Sequence, residues 1–224
     1  MLKDVIDLWK KRGIMIKAVD LFGEMLDDTY YVFHESWRVF TGEIAVDAEK
    51  DKIYGRDKSV NMKERAIRKL LMENLTINPG NDASGCLALM SMVKDAERVG
   101  DYSKNILDLV VLLDKVPSLG KFSDTIHAVV NDIDASLKSL RDAFVNSDEE
   151  IVKAIIARYE KVKKESKQIL HEIFENNISK EEALIVILVS RYLKRINSHI
   201  TNVASGIILP LDQIDFVRGG LLEN

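Results

Sequence analysis

The feature that most constrains this chain is a helical seam that occurs twice. Leu89, Met92, Ala96, Val99, Ser103, Ile106 and Val110 recur at intervals of three and four. That is the spacing of one face of an α-helix. Moving ninety-seven residues along gives Val186, Val189, Leu193, Ile196, Ile200, Val203 and Ile207, all apolar. At the same offset Arg98 falls on Arg195 and Asn105 on Asn202. Apolar stripes align between any two amphipathic helices, but here the order of helices and turns around them repeats as well. The chain therefore reads as one structural unit made twice.

Helical period runs through nearly the whole sequence. It predicts helices over about 2–40, 44–77, 82–116, 122–146, 148–176 and 180–208. Thr41-Gly42, Asn78-Pro79-Gly80-Asn81, Pro117-Ser118-Leu119-Gly120, Asn176-Asn177 and Pro210 separate them. Ser147, three residues before Glu150, reads as the start of the fifth helix. In the second helix Val46, Ile53, Val60 and Ile67 fall every seven residues; the series fails at Asn74, but Leu70, Leu71, Leu75 and Ile77 carry the apolar face on at helical spacing. The expected fold is all-α, a tandem repeat of two three-helix bundles built from six long antiparallel helices. Residues 1–119 form the first repeat, 120–209 the second, and 210–224 a C-terminal tail. Tyr30, Tyr31, Phe33, Trp37 and Phe40 wrap more than one face of the first helix, which predicts a core role for some and a partner or dimer surface for others.

Composition removes several classes. Only 3 Pro and 11 Gly among 224 residues are too few for the turns of an all-β protein. With 32 Lys+Arg against 36 Asp+Glu, the net charge is −4, and no basic excess exists to coat nucleic acid. The single Cys86 excludes an internal disulfide framework or a multi-cysteine metal cluster, and reads as a small buried hydrophobe. The longest apolar run, Ala183–Val189, is far short of the ~20 residues of a membrane helix. Asp4 and Asp7 break any signal-peptide core. A soluble, cytoplasmic protein is expected, meeting a membrane only through a partner.

No phosphate-binding glycine motif occurs, His34, His127, His171 and His199 are scattered, and no histidine follows a glutamate by three. No enzymatic activity is expected. The local departures from plain structure lie in the second and third helices. Glu97 and Asp101, four apart, stack on one helix face, where like charges cost a few tenths of a kcal/mol unless something sits between them. Asp57, Asn61 and Glu64 form a stripe of oxygen donors on the preceding helix. If the two stripes meet, they suit a hard cation or a carboxylate-bound iron, manganese or magnesium ion. The plain alternative is a solvated face neutralised by Arg98 and Lys104. Gly100, in mid-helix, costs about 1 kcal/mol relative to alanine, and close approach of a neighbouring helix is its expected reason.

The run Glu97-Arg98-Val99-Gly100-Asp101-Tyr102-Ser103-Lys104-Asn105-Ile106 resembles the E-R-I-G-D-H-x-x-N-I signature of the PhoU family. Asp57-x-x-Val60-Asn61-x-x-Glu64 resembles the D-x-x-V-N-x-x-E pattern of the helix before it. A worn copy stands at Arg191–Val203, where Lys194, Asn197 and Ser198 replace the signature's Glu, Gly and Asp. The resemblance covers roughly residues 20–208. It implies paired three-helix bundles and negative regulation of phosphate uptake and phosphate-starvation signalling. The implied partners are a phosphate transporter and a sensor histidine kinase. It also implies a metal ion, iron, zinc or manganese, at Glu97, Asp101, Asp57, Asn61 and Glu64 in the first repeat. None is expected in the second, where Lys163 and Lys194 replace oxygen donors. Other readings are an accessory of another ion transporter, or a metal-binding bundle with no transport role. Pairing with a second copy would restore symmetry to a chain with one degraded half.

Overall fold

The computed structural model describes residues 13–78 and 83–214. Among them stand six long helices and no strand: α1 (Gly13–Phe40), α2 (Val46–Ile77), α3 (Ala83–Leu113), α4 (Ser123–Asn146), α5 (Glu149–Glu175) and α6 (Lys180–Ile208). Single 3₁₀ turns lie at Gly120–Phe122 and Leu211–Gln213. The expected helix before Gly13, the turn residues Pro79, Gly80 and Asn81, and most of the tail lie outside the described residues.

Helix ends follow local chemistry. The third helix stops at Leu113, short of the expected Val116, because Asp114 adopts a left-handed backbone with φ 51°. The fifth helix starts one residue later than its sequence suggests. Ser147 is not its cap: with φ 49° it closes α4, its N–H reaching the Phe144 carbonyl at 3.3 Å. Asp148 caps α5, its carboxylate accepting the N–H groups of Glu150 and Ile151 at 3.0 and 3.1 Å. A carboxylate that takes two orphan donors displaces the hydroxyl. At α6 the Ser179 hydroxyl accepts from the Glu182 N–H.

α1, α2 and α3 pack on one another, as do α4, α5 and α6. The two triplets join along α3–α6 and α1–α4. Every residue of both ninety-seven-offset seams is buried, and one hydrophobic cluster runs through both triplets. The aromatic face of α1 serves as core and as interface, and the interface partner is the second repeat of the same chain. Phe22 meets Phe144 of α4 edge-on, with centroids 4.8 Å apart. Trp37 meets His127 edge-on at 5.4 Å. His34 Nδ1 lies 2.8 Å from Asp134 Oδ1. The α2 seam does not end at Asn74, which is 2% exposed and donates to the buried Cys86 sulfur at 3.5 Å.

Two glycines test how tightly the helices meet. Gly100 is buried, facing Val60 and Asp57 of α2 and Thr29 of α1, but a Cβ there would lie 3.6 Å from its nearest neighbour, an ordinary contact. Close approach of helices is present without requiring glycine. Gly206 is the tighter point: a Cβ would lie 2.5 Å from Met92 Sδ across the α3–α6 crossing. Gly100→Ala is expected to stabilise the protein by about 0.5–1 kcal/mol through helix propensity. Gly206→Val is expected to destabilise it by about 1–3 kcal/mol through overpacking. Thermal unfolding of the two variants should move in opposite directions.

Candidate functional site

α2 and α3 run antiparallel. As residue number rises on α2 from Tyr54 through Asp57 to Asn74, the partner on α3 falls from Asp108 through Lys104 to Cys86. This register brings the two oxygen-donor stripes to one seam. Asp57 and Glu97 are largely buried, their side chains 11% and 14% exposed, and Asp101 lies beside Glu97 at 31%. Glu64, at 15%, is close enough to raise the Glu97 carboxyl by like-charge repulsion.

The charge between the stripes is the chain's own. Lys104 Nζ lies 2.9 Å from Asp57 Oδ2 and 3.5 Å from Asp101 Oδ1, an ammonium bridging two helices. Burial pushes that ammonium down, but the hydrogen bond and attraction of Asp57, then Asp101, outweigh it and hold Lys104 above the usual lysine range. Arg98 reaches Glu97 at 3.4 Å and Asp101 at 3.1 Å. Glu64 pairs with Arg68 at 3.0 Å. The Asn61 amide donates to the Asp57 backbone carbonyl at 3.1 Å.

The structure thus brings Glu97, Asp101, Glu64 and Asp57 to one seam, with Asn61 bonded to its own helix. As placed, the set does not fit an ion, because Lys104 stands between Asp57 and Asp101. Among the described residues no three His, Cys, Asp or Glu side chains are grouped to hold a metal. Neutralisation is nonetheless incomplete. Burial first, then the neighbouring Asp101 charge, push the Glu97 carboxyl up to about 7 against the pull of Arg98.

The second repeat departs from the first where its sequence departs. Asn197, at the position of Gly100, is buried and donates to the Tyr159 carbonyl of α5 at 3.3 Å. Ser198, at the position of Asp101, bonds back to the Lys194 carbonyl of its own helix. Lys163 lies 3.4 Å from Glu160 and sits over the Tyr159 ring at 5.5 Å.

Two polar clusters were not foreseen. Asp28, 2% exposed, sits between Lys63 at 2.7 Å and Arg56 at 2.6 Å. Burial raises its carboxyl, and the hydrogen bonds of Lys63, Ser59 and Arg56 reverse that and leave it below its ordinary range. At the α3–α6 crossing Asp95 Oδ1 takes His199 Nδ1 at 2.6 Å and Asn202 Nδ2 at 3.1 Å. The ninety-seven-residue offset that pairs Tyr102 with His199 was the available signal for this second cluster.

Two repeated three-helix bundles with a charged seam between the second and third helices define the class of protein. A PhoU domain model matches residues 16–110 and 126–207, and the chain belongs to the PhoU family. It is 30% identical over 129 residues to the phosphate-specific transport system accessory protein PhoU homolog 1 of Thermotoga maritima, a match that spans about half of each (54%). Its fold matches PhoU from Pseudomonas aeruginosa with a TM-score of 0.68 at 17% identity, covering 93% of this chain and 97% of that one. It also matches the phosphate transport system regulatory protein PhoU from Streptococcus pneumoniae with a TM-score of 0.70 at 18% identity, covering 92% and 100%. No helix among the described residues is long and apolar enough to cross a membrane.

The raised Glu97 carboxyl has a consequence for pH. Between its unfolded value near 4.5 and the folded value of about 7, the native state holds the extra proton. Stability from this group therefore falls as pH rises through that window and levels off above it. Glu97→Gln, measured with a chelator present, is expected to lose this slope and to gain about 1 kcal/mol at pH 8, a value reduced for solvent screening. Urea unfolding from pH 5 to pH 8 reads both.

Proposed function

We propose that this chain regulates phosphate uptake by protein contact, without catalysis of its own. The observation that carries the reading is the PhoU domain match over both repeats, joined to a relative named as an accessory of phosphate-specific transport. The surface supports contact as the mode of action. Val111, Leu112 and Val116 are 41%, 80% and 54% exposed at the end of the first repeat. Val111 and Val116 border a concavity of about 280 Å³ that Val39, Ile44 and Val46 also line. Exposed apolar patches of this kind mark protein contacts. The partners in this reading are a phosphate transporter and a sensor histidine kinase, and the protein works in the cytoplasm.

A second element of the reading is metal dependence. In this reading iron, zinc or manganese is held at Glu97 and Asp101, a place the motif suggests and the present arrangement does not offer. Asp57, Asn61 and Glu64 complete the oxygen donors, and Lys104 must give up its place.

Deleting the gene in its native host tests the regulatory reading, with phosphate uptake measured in phosphate-replete cells. Uptake is expected to rise on deletion, to be restored by the wild-type chain, and to stay high with a folded Leu112→Asp variant. Unchanged phosphate uptake on deletion, with a change for another ion, moves the assignment to a different transporter. Elemental analysis of the purified protein beside a Glu97→Ala/Asp101→Ala double variant tests the metal. Stoichiometric metal lost in the variant supports metal dependence, and no metal in either removes it.

A further inference from the structure

We propose that the crossing of α3 and α6 forms an oxyanion-binding pocket, built by equivalent residues of the two repeats. A concavity of about 390 Å³ opens there, and Arg98 of α3 and Arg195 of α6 both line it. These arginines occupy the same position in the two copies, ninety-seven residues apart. So do Tyr102 and His199, which stack with centroids 5.8 Å apart and planes 16° from parallel on the pocket wall. Duplication has thus placed one arginine and one ring from each repeat around a single hollow.

The charge of that hollow is unbalanced. Lys94 joins the two arginines on its lining, and Asp95 is its one carboxylate. Asp95 already accepts from His199 and Asn202 through one oxygen, so that oxygen is committed within the wall. Arg98 gives its Nε and one terminal nitrogen to Glu97 and Asp101, which leaves its other terminal nitrogen available from a group with five donor hydrogens. Among the described residues no carboxylate lies within ion-pair distance of Lys94 or Arg195, both exposed. The Arg195 guanidinium fork, the remaining terminal nitrogen of Arg98 and the Lys94 ammonium around one concavity suit the chemistry of a phosphoryl-type oxyanion, which accepts several charge-assisted hydrogen bonds at once. The ligand class is a phosphate group, either the free ion or a phosphate monoester. The inference rests on this pocket alone and stands whether or not the chain regulates phosphate uptake.

Isothermal titration of the full-length protein with inorganic phosphate, at low and constant ionic strength, tests it. Saturable binding with a Kd at or below about 1 mM is expected. Arg195→Gln, on an exposed side chain, should weaken it about tenfold or more, as loss of a charge-assisted contact does. Lys153→Gln, a charge removed from the start of α5, should leave it unchanged. Competition by glycerol 2-phosphate would extend the site to monoesters, and its absence would restrict the site to the free ion. No saturable binding of inorganic phosphate up to about 10 mM, or equal weakening by both variants, overturns the proposal.

Discussion

The packing of α3 against α6 is the contact on which the rest of this structure depends. Each helix turns its seam inward, and every position of both seams is buried. A single apolar cluster results, with each triplet of helices covering one side of it. Burial of apolar surface is the dominant favourable term in folding, and here neither repeat completes that burial without the other. The same crossing fixes what the remaining faces of α3 can do. One face is left to meet α2, where the acidic stripe lies. The edge beside α6 holds the Asp95, His199 and Asn202 cluster and the paired arginines.

The two repeats solve the same packing problem with different chemistry. In the first, the second and third helices are tied by charge: Lys104 to Asp57, and Tyr54 to Asp108 at 2.7 Å. In the second, the equivalent helices are tied by a neutral bond from Asn197 to the Tyr159 carbonyl. A neutral bond to a backbone carbonyl is insensitive to pH and to competing cations. A carboxylate cluster held by a lysine is sensitive to both, and burial, then the neighbouring Asp101 charge, hold the Glu97 carboxyl high within it. Sensitivity of stability to pH or to cations is therefore expected in the first repeat's seam rather than in the second's.

How much was legible in the sequence follows from which interactions are local. Six helices and both seams were readable because a 3.6-residue period is written in each segment by itself. The convergence of Asp57, Glu64, Glu97 and Asp101 was readable only as a possibility, since it needed α2 and α3 to be antiparallel neighbours in the right register. That Arg98 and Lys104 neutralise the Asp101 face was readable as the plain alternative, but the bond from Lys104 to Asp57 across the seam was not. Lys104 sits 47 residues from Asp57 in sequence, and whether its ammonium or a metal lies between the carboxylates depends on the rotation of one helix against another. Asp28 escaped for the same reason, since nothing in α1 marks it apart from Asp27 and Glu24 until Arg56 and Lys63 of α2 arrive. Asn74 looked like a break because its polarity ended an apolar series, but its side chain is satisfied inside the core. The glycine that sequence singled out has room for a methyl group, and the tight one at the α3–α6 crossing, Gly206, carried no motif to mark it.

Native-state hydrogen exchange on an Ile155→Ala variant tests most directly the claim that the two repeats share one core. Ile155 is fully buried in α5, whose main packing among the described residues is against α4 and α6 of the second triplet. Its truncation is expected to cost about 2–5 kcal/mol. With one shared core, the slowest amides of α2, in the first triplet, should lose as much protection as those of α5. Loss confined to α4, α5 and α6, with α2 as protected as in the wild type, would contradict it.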